Sequence, residues 1–196
     1  MLEVVLAVII SYLLGSFPTG LLIGRLTKGI DIRNYGSGNI GATNVWRILG
    51  PGPALIALVG DLGKGAAAVL IGLHMGPPGT ELLTAFAVIL GHGWSIFLRF
   101  QGGKMIATSI GALALLSPKT VAIAIVIWLA VVGISRFVSL GSIAAILSVP
   151  VTFALLKLNI WYTVFGIVLA ALAIYKHRSN IKRLLNGSEN KFSLRK

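Results

Sequence analysis

Residues 119–135 read KTVAIAIVIWLAVVGIS, a run whose one charged residue is the lysine at its beginning. An α-helix needs about 20 mostly apolar residues to cross the hydrocarbon core of a bilayer. Working outward from this run, the chain contains six others of the same kind, near 3–24, 52–73, 81–99, 105–117, 138–157 and 160–176. They predict an all-α, polytopic integral membrane protein with seven transmembrane helices.

The composition favours the same class. Of 196 residues, 56% are hydrophobic and 11% are charged, and the mean hydropathy is +0.93, which leaves too little polar surface for a soluble domain of this size. The fourth run is short and Ser117-Pro118 ends it, so six crossings remain an alternative. We expect one membrane domain over residues 1–196, of which 177–196 form a basic cytoplasmic tail.

The basic residues indicate how the chain is oriented. Seven crossings place fourteen of the 17 Lys and Arg, including Arg195 and Lys196, in segments on one side. Only Lys119 and Lys157 fall in the loops on the other side. Because Lys and Arg in short loops favour the cytoplasmic face, this asymmetry predicts an N-terminus outside and a C-terminus inside.

The first polar segment, residues 36–47, reads GSGNIGATNVWR. It contains a GxGxxG pattern, but a dinucleotide site needs a strand before that pattern, and here a membrane helix precedes it. Closely spaced glycines can still turn backbone N–H groups towards an anion. Polar groups that could assist them are Ser37, Asn39, Thr43, Asn44 and Arg47. The alternative is a plain Gly-Asn turn between two spans, with an ordinary cytoplasmic arginine.

The second polar segment, residues 91–109, reads GHGWSIFLRFQGGKMIATS. It is not a P-loop, because Leu98 occupies the position of the first glycine and Met105 that of the magnesium-binding hydroxyl. A Gly102-Gly103-Lys104 turn that opens a helix would nevertheless place a cation and N–H groups where anions bind well. The alternative is a loop lysine on the cytoplasmic face, with His92 satisfied at a helix end.

Two further polar features lie outside those segments. His177, Asn180 and Arg183 recur at helical spacing, so one face of an extended last helix could point into the same cavity. Taken singly, the basic residues there could equally be an anchor for anionic lipid. Asp61 and Lys64 fall in mid-span at i, i+3, where they can pair, and we expect them to face the interior of the helices.

The inventory of side chains excludes several chemistries. Metal-dependent phosphoryl transfer usually needs converging carboxylates, and the chain has five acids in all. It has no cysteine, no HExxH motif and no acid five residues after His92 for an acyltransferase dyad. The net charge of +12 in so apolar a chain indicates an anionic ligand or anionic lipid rather than nucleic acid. We predict no metal and no cofactor.

Residues 36–47 closely resemble the first signature of the bacterial acyl-phosphate:glycerol-3-phosphate acyltransferases, the PlsY family. The similarity continues through most of the chain, with GSFPTG at 15–20, DIR at 31–33, DLGKG at 61–65, FLRFQGGK at 97–104, SLGSI at 139–143 and KHRSNIKRLLNGSENKF at 176–192. The sequence departs from the family at Ser95, where proline is usual, and at Met105, where a small residue is usual.

The resemblance implies transfer of a fatty acyl group from acyl phosphate to the first hydroxyl of glycerol 3-phosphate, which gives lysophosphatidic acid and inorganic phosphate. It also implies a bacterial cytoplasmic membrane, a cytoplasmic active site surrounded by membrane lipids, and no obligate protein partner. The implied catalytic residues are Ser37, Arg47, Lys104 and His177. The implied substrate contacts are Gly36, Gly38, Asn39, Gly41, Thr43, Asn44, His92, Gly102, Gly103, Ser142 and Asn180.

Two alternatives from other functional classes remain at this stage. A transporter of a small phosphorylated metabolite would use the polar inside segments as a binding vestibule. A structural membrane protein would use its basic tail as an anchor. The transporter would need matching polar groups in the outside loops, which carry almost none, and the structural protein would leave the Gly-Asn-Thr-Arg cluster without a task.

Overall fold

The computed structural model describes residues 1–192, which form ten α-helices and two short 3-10 helices. Arg195 and Lys196 of the predicted basic tail lie outside the described residues. The chain divides into two compact units, Met1–Leu116 and Ser117–Lys196, and each is described by itself.

Six α-helices belong to the first unit. A 3-10 helix, Ile32–Asn34, precedes α3, and a second, Ile96–Leu98, follows α5. The six are α1 Leu2–Ser16, α2 Thr19–Lys28, α3 Ala42–Leu49, α4 Pro51–Met75, α5 Thr80–Gly93 and α6 Ile106–Leu116.

The first apolar run is broken between α1 and α2. Pro18 cannot donate a backbone hydrogen bond, and Phe17 before it is extended, with φ −62° and ψ 118°. A carbonyl left unsatisfied at such a break costs several kcal/mol in an apolar environment, and the Phe17 carbonyl already accepts the Thr19 N–H over 3.1 Å. The Ser95 hydroxyl donates to the Ser16 carbonyl over 2.5 Å, and the Lys64 ammonium donates to the Phe17 carbonyl over 3.1 Å.

Asp61 and Lys64 lie one turn apart on α4 and form a buried ion pair. The distance from Lys64 Nζ to Asp61 Oδ1 is 2.8 Å, and the two residues are only 6% and 2% exposed. A single charge at mid-span costs about 2.5–3.5 kcal/mol on insertion scales, so mutual neutralisation matters here. The expectation that this pair faces the interior of the helices is confirmed.

Helix α6 packs against α4 through glycines on both helices. A side chain at Gly65 would overlap the Thr108 carbonyl, and one at Gly111 would overlap the Leu62 carbonyl. Only glycine allows the two backbones to approach so closely. Because α6 has 11 residues, it is about 16 Å long, roughly half the thickness of a bilayer core.

The second unit contains four α-helices. The last apolar run ends at His177, where the chain bends by 60° before the next helix begins. The expectation of one extended last helix is therefore wrong, because the His177 N–H bonds the carbonyls of both Ala173 and Ile174 and tightens the final turn. The four are α7 Pro118–Ser135, α8 Val138–Leu155, α9 Ile160–Lys176 and α10 Arg178–Leu185.

An all-helical membrane fold is confirmed, while the count of seven crossings is not. Large apolar side chains such as Ile56, Val126 and Trp161 are more than half exposed, as lipid-facing residues are. The bent pair of α9 and α10 can supply a sixth crossing, but α6 is too short to be counted. Five segments are long and apolar enough to cross: Leu2–Lys28, Pro51–Met75, Thr80–Leu98, Pro118–Ser135 and Val138–Leu155.

The contact between α4 and α6 predicts different effects for two glycines of one helix. Gly65→Ala should lower the melting temperature in detergent, because overpacking costs about 1–3 kcal/mol. Gly63→Ala is the matched control, because no atom lies within 4 Å of the added methyl group and alanine is the better helix former. Thermal unfolding followed by circular dichroism gives the comparison, and equal melting temperatures would contradict the packing.

Candidate active site

The first polar segment is organised around the side chain of Asn44, which is 1% exposed. Its Oδ1 accepts a hydrogen bond from the Ser37 N–H over 2.8 Å. Its Nδ2 donates to the carbonyls of Ile32 and Tyr35, over 3.2 and 3.1 Å. Asn44 therefore fastens the loop to α3 with both of its amide hydrogens. Direct contact between Asn44 and substrate stays a prediction.

The glycines of this loop are needed for its shape. Gly36 and Gly38 have φ values of 60° and 70°, which favour glycine, and a side chain at Gly36 would overlap Asn44 Oδ1. The Asn39 side chain accepts from the Gly41 N–H over 2.8 Å and so directs the chain into α3. The N–H groups of Ser37, Gly38 and Gly41 are thus used within the loop, which offers an anion fewer donors than its glycine pattern suggests.

Helix α3 presents its remaining polar side chains on one face. Val45 is fully buried and belongs to an apolar cluster with Leu21, Ala54 and Leu98. Thr43 and Arg47 are separated by four residues, so they are neighbours on the helix surface, and both are half-buried. The packing of Val45 therefore fixes the direction of the predicted threonine–arginine pair.

The second polar segment is a sharp reversal after α5. Arg99, Phe100 and Met105 have φ values of 52°, 60° and 69°, which side chains rarely adopt. The Gly103 N–H donates to the His92 carbonyl over 2.9 Å and closes the reversal. Lys104, which is half-buried, follows at once and precedes the first turn of α6 by one residue.

Both departures from the family pattern have local partners. The Ser95 hydroxyl bonds the carbonyl of Ser16 at the end of α1, a contact that proline could not make. The Met105 side chain is fully buried, and its sulfur occupies space that a side chain at Gly93 would need. These two residues therefore tie the second polar segment to α1 and α5.

One polar cavity of about 380 Å³ lies where the two glycine-rich segments of the first unit meet. It brings together Gly38 and Gly102, two of the predicted substrate contacts. Three polar residues that the sequence analysis did not assign, Arg33, Asn34 and Gln101, also line it. The full lining is Arg33, Asn34, Gly38, Ile40, Leu98, Gln101 and Gly102.

The Arg33 guanidinium at the cavity wall is held by Asp31. Its Nε and Nη2 donate to the two carboxylate oxygens over 2.9 and 2.6 Å. The hydrogen bond from Arg33 lowers the pKa of Asp31 to about 2, so the carboxyl is ionised at neutral pH. The spacing of DIR could have revealed this pair, because an i, i+2 acid and arginine in a turn can reach each other.

His177 lies at the bend between α9 and α10 in the second unit and is 1% exposed. Its Nδ1 is 2.7 Å from the Ala173 carbonyl. Because a carbonyl can only accept, Nδ1 carries the hydrogen, and in the neutral ring the lone pair is on Nε2. The hydrogen bond to Ala173 at the helix bend therefore fixes the tautomer of His177, a predicted catalytic residue.

Glu189 is the residue of the second unit that the sequence analysis missed. Its carboxylate accepts hydrogen bonds from Ser139 Oγ over 2.8 Å, from Asn180 Nδ2 over 2.6 Å and from Arg183 Nε over 2.6 Å. Burial alone would raise the pKa of Glu189, but these hydrogen bonds and the arginine charge outweigh burial and lower it. The signal in the sequence was a lone acid in a basic tail.

Glu189 also orients Asn180, a predicted substrate contact. With Nδ2 committed to the carboxylate, the buried Oδ1 of Asn180 receives no hydrogen bond from any residue in the 1–192 range. A buried acceptor of this kind suits a hydroxyl donor. Ser142, another predicted contact, is buried one turn along α8 from Ser139.

Comparisons with known proteins agree on one family. A family model described as glycerol-3-phosphate acyltransferase matches residues 5–187. A glycerol-3-phosphate acyltransferase of Desulforudis audaxviator is 58% identical and aligns over 100% of this chain and 98% of its own length. One from Carboxydothermus hydrogenoformans is 48% identical, with 98% of each chain covered.

Solved structures show the same similarity. A crystal structure of PlsY, an integral membrane glycerol 3-phosphate acyltransferase, in its glycerol 3-phosphate form, matches with a TM-score of 0.92. It is 38% identical, and the match covers 97% of this chain and 96% of that one. The lysophosphatidic acid form of PlsY matches with a TM-score of 0.89 at 37% identity, over 97% of this chain and 95% of the other.

The hydrogen bonds of Glu189 predict a loss of stability in Glu189→Gln. Removing the charge beside Arg183 should cost about 1–3 kcal/mol and lower the melting temperature. Because folding lowers the pKa of Glu189, its contribution is complete above the ordinary pKa of 4.5 and is lost as the pH falls through the folded value. The difference in melting temperature between wild type and Glu189→Gln should therefore become smaller at acidic pH.

Glu81→Gln is the matched control for this prediction. Glu81 is half-buried, and its carboxylate accepts one hydrogen bond, from the Gly79 N–H, at an exposed position. Melting curves of the three proteins between pH 3 and 8 give the comparison. Equal decreases in melting temperature in the two variants would contradict the role assigned to Glu189. So would a difference between wild type and Glu189→Gln that grows at acidic pH.

Proposed function

The chain belongs to the glycerol-3-phosphate acyltransferase family and is an integral membrane enzyme similar to PlsY, and from this premise we propose that its acyl donor is an acyl phosphate. An acyl phosphate is a mixed anhydride, already activated for attack at its carbonyl carbon. It therefore needs neither a thiol nucleophile nor a strong base. A chain with no cysteine and five acids suits such a donor.

In the proposed reaction the 1-hydroxyl oxygen of glycerol 3-phosphate attacks the carbonyl carbon of the donor. An ester bond forms, the bond from that carbon to the bridging phosphate oxygen breaks, and inorganic phosphate leaves. The hydroxyl proton passes to a phosphate oxygen of the substrate, and the proposal includes no metal or cofactor. The lipid product is lysophosphatidic acid.

The observation that carries this proposal is the polar cavity shared by the two glycine-rich segments. Both substrates bring a phosphate, and the segments that meet at the cavity also carry Arg47 and Lys104. We assign these two cations, and those backbone N–H groups of residues 36–41 that are not used within the loop, to the phosphates and to the developing oxyanion. Ser37 and Thr43 add neutral hydrogen bonds, and Asn39 and Asn44 shape the loop.

The second unit is proposed to contribute groups that position glycerol 3-phosphate. His177, Asn180 and Ser142 are buried polar residues, and Asn180 presents an acceptor suited to a hydroxyl. His177 with Nδ1 protonated could also accept a proton at Nε2. We rank a phosphate oxygen above His177 as the acceptor, because the leaving phosphate gains negative charge as the bond to carbon breaks.

The proposed setting is the bacterial cytoplasmic membrane, with the active site on the cytoplasmic side. Its support is the concentration of Lys and Arg in the segments that contain the glycine-rich motifs. We keep seven crossings with an outside N-terminus, and one domain over the whole chain, as part of the same proposal. Membrane lipids would surround the acyl chain, and the proposal includes neither nucleic acid nor an obligate protein partner.

A donor assay tests the proposed function. Purified protein is mixed with labelled glycerol 3-phosphate and, separately, with acyl phosphate, acyl-CoA or the thioester of acyl carrier protein. We expect labelled lysophosphatidic acid from acyl phosphate and none from either thioester. Product from a thioester would overturn the donor assignment, and no product from any donor would overturn the proposal that this chain is active.

The cavity predicts that a negative charge on its wall will weaken phosphate binding. Gln101 is exposed and lines the cavity, so Gln101→Glu should fold normally. Repulsion between unit charges a few ångströms apart near a protein surface is worth about 1–4 kcal/mol. We expect a KM for a phosphate substrate raised about tenfold or more, with the effect shrinking in salt.

Gln101→Ala separates charge from the loss of the amide. It should stay within about threefold of wild type, since it removes at most one neutral hydrogen bond of about 0.5–1.5 kcal/mol. Steady-state kinetics at low and high ionic strength decide the matter. A Gln101→Glu enzyme with unchanged KM values would show that neither substrate phosphate approaches this cavity.

A further inference from the structure

Three ionisable residues of the first unit form a buried polar cluster that the proposed reaction does not use. Asp61, Lys64 and His92 are 2%, 6% and 4% exposed, and they lie on two apolar helices, α4 and α5. The Asp61–Lys64 pair alone would remove the net charge from α4. The cluster is larger than neutralisation requires, because it also reaches α2 and α5.

The Asp61 carboxylate is the centre of this cluster. One oxygen, Oδ1, accepts a hydrogen bond from Thr19 Oγ1 over 3.1 Å and lies 2.8 Å from Lys64 Nζ. The same oxygen is 3.5 Å from Nδ1 of His92. Asp61 is therefore hydrogen-bonded to the beginning of α2 and lies against the ring of His92.

His92 in turn lies against the loop that ends in Lys104. Its carbonyl accepts the Gly103 N–H over 2.9 Å, and its ring fills the space that a side chain at Gly103 would occupy. A side chain at Gly102 would overlap the carbonyls of His92 and Gly93. Two successive residues before Lys104 are thus in close contact with the last turn of α5.

We propose that Asp61 is a positioning residue: its carboxylate fixes the ring of His92, and His92 fixes the Gly102-Gly103 backbone that presents Lys104 to a substrate phosphate. This proposal rests on the proposed function of Lys104. It also changes the expected role of His92, from contacting substrate to supporting the loop. Lys64 supplies the countercharge that keeps the Asp61 carboxylate ionised within an apolar helix.

The simpler interpretation is that Asp61 and Lys64 only neutralise each other. A variant with the two charges exchanged distinguishes this interpretation from the positioning role. Asp61→Lys/Lys64→Asp keeps one positive and one negative charge at the same two positions of α4. It removes the carboxylate from beside His92. If the pair only neutralises itself, the swapped enzyme should lose stability with the Lys64–Phe17 hydrogen bond but keep the kcat/KM of wild type, whereas the positioning role predicts kcat/KM lower by about 10- to 100-fold, as a small misplacement of a reacting group can cause.

A second measurement reads the position of Lys104 without relying on turnover. The protein is treated with an amine-reactive reagent, and modification of each lysine is followed by mass spectrometry. We expect the rate at Lys104 to change in the swapped variant and in Asp61→Asn, while the rate at exposed Lys119 stays constant. A general loss of stability would not change the labelling rate of Lys104 alone.

Thr19→Val is the matched control, because it also removes one hydrogen bond from Asp61 but leaves the His92 side of the cluster intact. It should keep wild-type kcat/KM and wild-type Lys104 labelling. If it disturbs Lys104 as much as Asp61→Asn does, the route through His92 is wrong. If the swapped protein cannot be purified, Asp61→Asn decides alone, because its amide oxygen can still accept from Thr19 and Lys64 while the negative charge beside the His92 ring is lost.

The outcomes separate this inference from the proposed function. Should the wild type accept a thioester instead of acyl phosphate, the donor assignment fails, and the variants are compared with that thioester. Wild-type kcat/KM in Asp61→Asn or in the swapped enzyme overturns the positioning role. Lower kcat/KM with unchanged labelling of Lys104 overturns it as well.

Discussion

The break in the first apolar segment imposes a requirement that the rest of the first unit meets. A helix interrupted at Phe17-Pro18 exposes carbonyls where no water can bond them. The Ser95 hydroxyl, after α5, and the Lys64 ammonium, on α4, donate hydrogen bonds to carbonyls at this break. Because a buried ammonium needs a countercharge, Lys64 forms an ion pair with Asp61. The break between α1 and α2 is thus joined by polar bonds to α4 and to the segment after α5.

The same principle recurs in the loops that carry the site. Asn44 satisfies loop carbonyls and one loop amide, the His92 carbonyl satisfies Gly103, and Glu189 gathers three donors in the second unit. Each of these groups is fixed before substrate arrives, which lowers the cost of ordering the site on binding. Glycines at positions 36, 38, 102 and 103 permit the close backbone approaches that these bonds require. Arg47 and Lys104, both half-buried, follow the two glycine-rich segments in the chain.

The sequence predicted the helical class and the interior placement of Asp61 and Lys64, because hydropathy and the cost of charge in lipid act on single segments. It overestimated the last helix, because the bend at His177 depends on hydrogen bonds of one N–H to two carbonyls. It also predicted that the fourth apolar run is short, and α6 has 11 residues and ends at Leu116, just before Ser117-Pro118. The place of Gln101 in the cavity and the Ser139–Glu189 hydrogen bond could not be predicted, because they depend on residues that only tertiary structure brings together.

The central claim is that the cavity between the two glycine-rich segments receives a substrate phosphate. A structure of the protein with a non-hydrolysable acyl phosphonate, in which carbon replaces the bridging oxygen, tests it most directly. The account predicts the phosphonate group in the cavity lined by Gly38 and Gly102, within hydrogen-bonding distance of Lys104 or Arg47. A phosphonate bound elsewhere, with this cavity filled by water and neither cation in contact, would contradict it.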